Sequence, residues 1–259
     1  MLLVDAGNTF IKWARPAPDQ TFRLESVGWK NFGAVRHHDM DVLKEAWHRL
    51  HEETPIRHVL ISNVAGQQLG EVLSRLLETL NPRPVSVEWF HSAPSLGGIT
   101  NTYQDYRKLG CDRFASMIGA HSLLPGKALV VVTAGTATTI DTLSPDGTFL
   151  GGMILPGLKL MSDSLAHNTA LLPEINQMIR DLPQFADNTS GAILSGCINA
   201  QAGAIERAVA THSKRFSDVH CLLSGGAAQY IAPNLSIPCR IIDNLVLIGL
   251  HSSSTRQTY

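Results

Sequence analysis

Residues 2–12 read LLVDAGNTFIK, which is an apolar run, a glycine turn and a second apolar run. The first run brings Asp5 to the end of a buried strand, and the second carries Lys12 beyond the turn at residues 7–9. This alternation predicts a β-hairpin. The hairpin tip offers backbone N–H groups, a hydroxyl and a carboxylate, which are groups that bind nucleotide phosphates and a metal ion. A purely structural hairpin is the alternative that this stretch alone leaves open.

Composition and charge narrow the class of protein. The 259 residues suffice for one large domain or two small ones, and the net charge of −1 argues against a nucleic-acid partner. No apolar run reaches the roughly 18 residues of a membrane span, and no signal peptide is evident. Four scattered cysteines indicate neither a zinc site nor a disulfide framework, so we expect a cytoplasmic protein. The pair His37-His38 is interpreted as solvated surface.

The predicted elements occur in the same order twice along the chain. Three strands, the third at residues 21–27, lead into two helices that alternate with strands, and a loop follows at residues 91–102. A helix that begins near Gly110 separates this part from a second series. The second series starts with three strands from Ala128 onwards and again leads into helix–strand alternation.

Each series has a glycine turn after its first strand, at residues 5–9 and at residues 133–138. Such a repeat predicts an α/β fold built from two related halves, residues 1–112 and residues 113–259. A cleft between two such halves is a natural site for a nucleotide and a substrate.

The glycine turns carry the residue types that a phosphoryl-transfer enzyme needs to hold phosphates and a metal ion. The first turn supplies a carboxylate, an amide, a hydroxyl and an ammonium group from Asp5, Asn8, Thr9 and Lys12. In the second turn, glycine permits close backbone approach and Thr136 adds a hydroxyl. A third glycine turn, at residues 224–226, could hold another part of the nucleotide. Each turn alone is more typical of an ordinary chain reversal, and only their matching positions favour a site.

A fourth candidate, Gly110-Cys111-Asp112-Arg113, lies at the start of a predicted helix. Asp112 there could be a helix cap or the partner of Arg113 in a structural ion pair. However, polar residues crowd the same approach: Tyr103, Asp105, Arg107 and Lys108. An aspartate in such a place could instead act as a general base, and Arg113 could bind a carboxylate substrate.

Six segments together resemble the type III pantothenate kinases of the actin/sugar kinase/Hsp70-like superfamily, some of which are known as Bvg accessory factors. These segments are VDAGNTFIK, YQDYRKLGCDR, TAGTATTID, GGMILPG, NTSGAILSG and LSGGAA, in the family's order. The resemblance implies two ribonuclease H-like halves, the second of which carries dimer contacts, and therefore a homodimer. It also implies transfer of the ATP γ-phosphoryl group to pantothenate, the first step of coenzyme A biosynthesis.

The resemblance also implies roles for individual residues. The first ATP-binding loop would comprise Asp5, Ala6, Gly7, Asn8, Thr9, Phe10, Ile11 and Lys12, and Thr136 would belong to the second. The pantothenate site would comprise Tyr103, Gly110, Cys111, Asp112, Arg113 and Thr189. Asp112 would accept the proton of the attacking hydroxyl, and Asp5 would hold Mg²⁺ through water.

One position departs from the family pattern. The family often begins its second phosphate loop with an aspartate that binds a monovalent cation, whereas this chain has Thr133. A neutral hydroxyl is a weaker cation ligand than a carboxylate, so the sequence leaves dependence on K⁺ or NH₄⁺ open. Two other functions also stay open: a kinase of another small hydroxyl compound on the same fold, and a non-catalytic accessory protein.

Overall fold

The computed structural model describes residues 1–17, 20–24, 28–80, 84–179 and 182–255. Its strands are β1 (Leu2–Ala6), β2 (Phe10–Arg15), β3 (Asn31–Arg36), β4 (His58–Asn63), β5 (Ser86–Trp89), β6 (Ser95–Leu96), β7 (Ile99–Asn101), β8 (Ala128–Ala134), β9 (Ala137–Leu143), β10 (Thr148–Pro156), β11 (Val219–Ser224) and β12 (Cys239–Ile241). Its α-helices are α1 (Met40–Glu53), α2 (Gln67–Glu78), α3 (Cys111–Leu123), α4 (Leu158–Asn168), α5 (Thr189–His212), α6 (Ala228–Ile231) and α7 (Leu245–Thr255).

The chain forms two compact units. The first unit comprises residues 1–123 together with residues 245–259, and the second comprises residues 124–244. The predicted division between residues 112 and 113 therefore falls inside the first unit, at the start of α3. The last helix, α7, also belongs to the first unit, which no local pattern in the sequence indicates.

Strand β1 is the centre of the sheet in the first unit, whose strand order is β3-β2-β1-β4-β5. It runs antiparallel to β2 and parallel to β4, so the predicted hairpin of β1 and β2 is confirmed. Successive side chains of a strand point to opposite faces of its sheet. Leu2 and Val4 join the core that α1 and α2 cover, in which Trp47 is fully buried. Leu3 and Asp5 therefore face the other side, where α7 packs against β1 and β4.

Two glycines allow α3 and α7 to cross closely. A Cβ atom at Gly249 would lie 1.8 Å from the carbonyl oxygen of Ala115, and one at Gly119 would lie 2.4 Å from that of Leu245. Real Cβ atoms do not approach a backbone this closely, so only glycine fits at either position. This contact explains why α7 returns to the first unit.

The sheet of the second unit repeats the topology of the first. Residues 124–244 contribute five strands to this sheet in the order β12-β11-β8-β9-β10, with β8, β9 and β10 antiparallel and with β8, β11 and β12 parallel. In each unit, three antiparallel strands are thus followed by two parallel strands that helices connect. The predicted internal repeat is confirmed in this topology. Among the described residues, no helix is long and apolar enough to span a lipid bilayer.

Two predicted elements differ from the structure. Of the third strand predicted at residues 21–27, residues 21–24 form only a single bridge, and residues 25–27 lie outside the described residues. The strand is β3 instead, which pairs with β2 and places Gly33 under the ring of Trp13. The predicted loop at residues 91–102 contains the hairpin of β6 and β7, because Gly97 and Gly98 take the positive φ angles of +62° and +87° that a two-residue turn requires.

We expect Gly249→Ala to lower Tm by roughly 6 to 12 °C, because the added methyl group must push α7 away from α3 at a cost of about 3 kcal/mol. Thermal unfolding followed by circular dichroism measures this. Gly203→Ala is the matched control, since it lies within α5 with no atom within 4 Å of an added Cβ. That control should keep or slightly raise Tm because alanine favours helix. Equal Tm values for the two variants would contradict the close crossing.

Candidate active site

The first glycine turn joins β1 to β2 at the end of the most buried strand of its sheet. The Gly7 N–H donates to the carbonyl oxygen of Phe10 at 3.1 Å and closes the turn. Ala6 and Ile11 are fully buried, so only their backbone groups are available to a ligand. Asn8 and Thr9 are exposed at the tip.

Asp5 has a polar neighbour on each side in the sheet. Its register partner in β2 is Lys12 and its partner in β4 is Ser62, so all three side chains share the face opposite to Leu2 and Val4. Burial raises the pKa of Asp5 to about 7, the positive charge of Lys12 opposes that rise, and the carboxylate of Asp112 adds to it. The structure thus brings together the two aspartates that the sequence singled out in separate segments.

The start of α3 is tied to the end of β4. The Cys111 thiol lies 3.4 Å from the Ser62 hydroxyl and donates to the carbonyl oxygen of Asn63 at 3.6 Å. Burial raises the pKa of the Cys111 thiol, which favours the neutral form that can donate. Because Ser62 is also the register partner of Asp5, these contacts fix the next residue, Asp112, near the end of β1.

Asp112 is held in place by its own backbone surroundings. The Arg113 N–H donates to its Oδ1 at 2.8 Å, and a Cβ atom at Gly110 would lie 2.7 Å from the same oxygen. Any residue other than glycine at position 110 would therefore displace the carboxylate. Burial raises the pKa of Asp112, while the Arg113 N–H and the positive charge of Arg113 oppose that rise. A carboxylate with a raised pKa is a better proton acceptor.

Arg113 and Tyr103 form the other side of this cluster. The Arg113 guanidinium carbon lies 6.0 Å from the centre of the Tyr103 ring, and the arginine is only 6% exposed. The Tyr103 N–H donates to the side-chain oxygen of the buried Asn101 at 3.0 Å, which orders the segment before α3. A buried guanidinium beside an aromatic ring suits a small carboxylate ligand.

Three of the polar residues predicted to crowd the approach to Gly110 do not add to the cluster. Asp105 and Arg107 pair with each other at 2.9 Å, and the Arg107 side chain is exposed. Lys108 is exposed as well. The cluster of the first unit therefore consists of the loop at residues 5–12 and the start of α3, with Tyr103 beside it.

The second glycine turn, in the second unit, is packed on both sides by backbone. The Gly157 N–H donates to the carbonyl oxygen of Thr136 at 2.9 Å. A Cβ atom at Gly157 would lie 2.2 Å from the carbonyl oxygen of Gly135. Gly225, from the third predicted glycine turn, has a φ of +93°, and its Cβ would lie 2.3 Å from the Ala134 carbonyl oxygen. The second and third glycine turns of the sequence thus meet at the end of β8.

Thr189 is the first residue of α5 and is exposed. The preceding residue, Asn188, caps the helix by accepting from the Gly191 N–H at 2.8 Å. Thr189 belongs to the second unit, and its implied role in the pantothenate site stays a prediction.

The sequence reasoning missed His37, which was assigned to solvated surface. His37 is half-buried and its Nε2 lies 2.7 Å from the carbonyl oxygen of Gly7, in the first glycine turn. His38 is exposed, as predicted. No local signal distinguishes the two histidines, because the contact depends on the pairing of β3 with β2.

The pKa of Asp5 predicts how stability depends on pH. The pKa of Asp5 is about 7 in the folded chain and about 3.9 in an unfolded one. Between these pH values the folded state therefore binds more protons than the unfolded state, so stability falls as pH rises from about 4 to about 7. In the absence of ligands, Asp5→Asn should remove this slope and stabilise the protein by roughly 2 to 4 kcal/mol above pH 7. Chemical denaturation at several pH values measures the difference.

Asp146→Asn is the control, because the contribution of Asp146 to stability should depend on pH in the opposite direction. Hydrogen bonds from Ser144 and Thr148 hold the pKa of Asp146 below its usual range, so its contribution is present at neutral pH and is lost as pH falls. Asp146→Asn should therefore be less stable than the parent protein at pH 7. In acid, the two proteins should have the same free energy of unfolding. An Asp5→Asn effect that does not vary with pH would contradict the raised pKa.

Two solved structures show which fold this is. One, described as a conserved Baf family transcriptional activator from Campylobacter jejuni, has a TM-score of 0.63 at 20% identity and covers 99% of this chain and 98% of that chain. Another, described as a 2-dehydro-3-deoxygalactonokinase from Sinorhizobium meliloti, has a TM-score of 0.59 at 13% identity over 99% of each chain. The α/β fold with two sheets is that of the actin-like ATPases and sugar kinases, as predicted.

The sequence comparisons identify the family. Residues 1–211 match the family model described as type III pantothenate kinase. The type III pantothenate kinase of Janthinobacterium sp. (strain Marseille) is 53% identical over 258 residues, which cover 97% of this chain and 96% of that protein. The resemblance carried by the six sequence segments is thereby confirmed, and the chain belongs to the type III pantothenate kinase family.

Proposed function

We propose that this protein transfers the γ-phosphoryl group of ATP to the primary hydroxyl of pantothenate and yields 4′-phosphopantothenate and ADP. The observation that carries the proposal is the half-buried carboxylate of Asp112, which Gly110 and Arg113 hold beside Asp5. Membership of the family supports the choice of pantothenate as the acceptor. It supports a place in coenzyme A biosynthesis for the same reason.

Asp112 is the proposed general base. As the pantothenate hydroxyl attacks the γ-phosphorus, its proton passes to a carboxylate oxygen of Asp112, and the bond from phosphorus to the ADP oxygen breaks. The pKa of Asp112 is raised by burial, which brings the proton affinity of the carboxylate closer to what this transfer needs at neutral pH. The Arg113 N–H donates to Oδ1, and we propose Oδ2 as the oxygen that receives the proton.

Arg113 and Tyr103 are the proposed anchors of the pantothenate carboxylate. A guanidinium binds a carboxylate through two parallel hydrogen bonds, and burial strengthens such a pair. The Tyr103 ring, 6.0 Å from the guanidinium carbon, is within range of a cation–π contact with the arginine. Cys111 belongs to the same substrate loop, and its thiol contacts fix the loop to β4. Thr189 of the second unit is proposed to contact the substrate as well.

The loop at residues 5–12 is the proposed site for the ATP phosphates, with Thr136 as a further contact. Lys12 and the backbone N–H groups of the turn would stabilise negative charge on the phosphates. Asp5 fits Mg²⁺, held through water, because a cation would relieve the unfavourable burial of its carboxylate near that of Asp112. When bound, Mg²⁺ neutralises charge on the β- and γ-phosphates.

The Asp112→Asn variant tests the reaction and the base together. We expect kcat for 4′-phosphopantothenate formation to fall by about 10² to 10⁴, because the amide cannot accept the proton, while binding of ATP with Mg²⁺ persists. Asp41→Asn, an exposed carboxylate on α1, is the control and should keep full activity. Mass spectrometry of the product follows the reaction.

The design of this assay separates the remaining possibilities. Absence of product with the parent protein would refute the pantothenate kinase assignment, and a panel of other small alcohols would then show whether a different acceptor is used. Normal turnover of Asp112→Asn would remove Asp112 from the role of base. Repeating the assay in K⁺, NH₄⁺ or Na⁺ measures the cation dependence that Thr133 leaves open.

We also propose that two copies of the chain associate through the second unit and form a homodimer. Its apolar side chains along β10, α4 and the segment that follows are exposed, namely Met153, Ile154, Leu160, Leu165, Leu171 and Phe185. Large exposed apolar side chains on consecutive elements are typical of an interface between proteins, and a second copy of the same surface is the commonest partner.

The four free cysteines fit the reducing cytosol that we propose as the location.

Ile154→Glu tests the homodimer. The side chain is 63% exposed in the single chain, and a buried charge at an interface costs several kcal/mol, so the variant should sediment as a monomer. Val42→Glu, at a residue of α1 that is 56% exposed in the first unit, is the matched control and should not change the sedimentation coefficient. A parent protein that sediments as a monomer, or an Ile154→Glu variant that remains dimeric, would contradict this interface.

A further inference from the structure

The residues just after β3 reach back to the first glycine turn. His37 Nε2 lies 2.7 Å from the carbonyl oxygen of Gly7, within the same unit. A carbonyl oxygen can only accept a hydrogen bond, so the hydrogen must be on Nε2 of the imidazole. This is a short, well-formed contact between a half-buried side chain and the backbone of the loop.

The contact fixes the orientation of one peptide group. The peptide between Gly7 and Asn8 is trans and planar, so its N–H points in the direction opposite to its C=O. Because His37 holds the Gly7 carbonyl, it also determines the direction of the Asn8 N–H, which then points away from His37. Gly7 would otherwise be free to rotate this peptide, since glycine has the widest range of backbone angles.

The other end of the turn is held by the neighbouring residue, Arg36. Its guanidinium carbon lies 5.0 Å from the centre of the Phe10 ring, and the two residues are register partners in β3 and β2. The Phe10 carbonyl in turn accepts from the Gly7 N–H. Two consecutive residues therefore restrain the first and the last residue of the Gly7–Phe10 turn.

We infer that His37 is a positioning residue for ATP: it presets the Gly7–Asn8 peptide so that the Asn8 N–H is directed at a phosphate oxygen of the nucleotide. This inference rests on the proposed function, because it takes residues 7–9 as the phosphate contact. His37 itself contacts only the loop, so it acts through the backbone and not on the reacting atoms. The loop then binds phosphate without first having to order its own peptide.

The inference gives a specific kinetic expectation. One net hydrogen bond changes an equilibrium by about three- to tenfold, and a ligand that binds only the ordered loop loses affinity by the same factor when that order is lost. For His37→Ala we expect KM for ATP to rise about three- to tenfold. KM for pantothenate should be unchanged, because Tyr103 and Arg113 belong to other segments.

Three variants separate positioning from general stability. His37→Gln places an amide N–H near the position of Nε2 and should restore most of the affinity for ATP. His38→Ala removes the adjacent exposed imidazole and should behave as the parent does. For each variant we would measure KM for both substrates, kcat and Tm, together with calorimetric binding of a non-hydrolysable ATP analogue with Mg²⁺.

The outcomes are distinct. A rise in KM for ATP alone, matched by weaker binding of the analogue and reversed in His37→Gln, supports the inference. Unchanged binding of the analogue in His37→Ala overturns it, and so does an equal loss in His38→Ala or a fall in Tm and kcat without a change in KM. Because analogue binding does not depend on the acceptor, a parent protein that binds the analogue but leaves pantothenate unmodified refutes the proposed function and not the role of His37.

Discussion

The burial of Asp5 at the end of β1 is the constraint to which the first unit conforms. An ionised carboxylate on a strand whose neighbours are fully buried is unfavourable, and the pKa of Asp5 rises to about 7 accordingly. The sheet register places Lys12 on one side and Ser62 on the other, and α3 begins where Ser62 contacts Cys111. The same contacts bring Asp112 within electrostatic reach. A stability cost of this kind is typical of sites whose charges are completed by a ligand.

Several glycines in both units let backbone or carboxylate groups come closer than a side chain would allow. Gly110 leaves space for the Asp112 carboxylate, and Gly119 and Gly249 let α3 and α7 cross. In the second unit, Gly157 and Gly225 pack against the backbone of the second glycine turn. The backbone around the second glycine turn is therefore closely packed, which suits the binding of a polyanion by backbone N–H groups.

Local patterns predicted much of the fold. The hairpin of β1 and β2, the start of α3 near Gly110 and the repeated strand order all follow from apolar periodicity and turn residues. The third strand was placed too early because residues 21–27 alternate as well as β3 does, and only pairing with β2 separates them. Gly97-Gly98 marked a turn that the sequence reasoning treated as a loop.

The sequence was sufficient to single out the candidate residues, because carboxylates, glycines and basic residues recur at matching strand ends and at a helix start. Asp5, Lys12, Asp112 and Arg113 could all be singled out in this way. The tertiary structure alone showed that Asp5 and Asp112 share one poorly solvated region, that α7 returns to the first unit, and that His37 rather than His38 contacts the Gly7 carbonyl. Those facts depend on register and on helix crossing between residues far apart in the chain, and no local pattern encodes such distances.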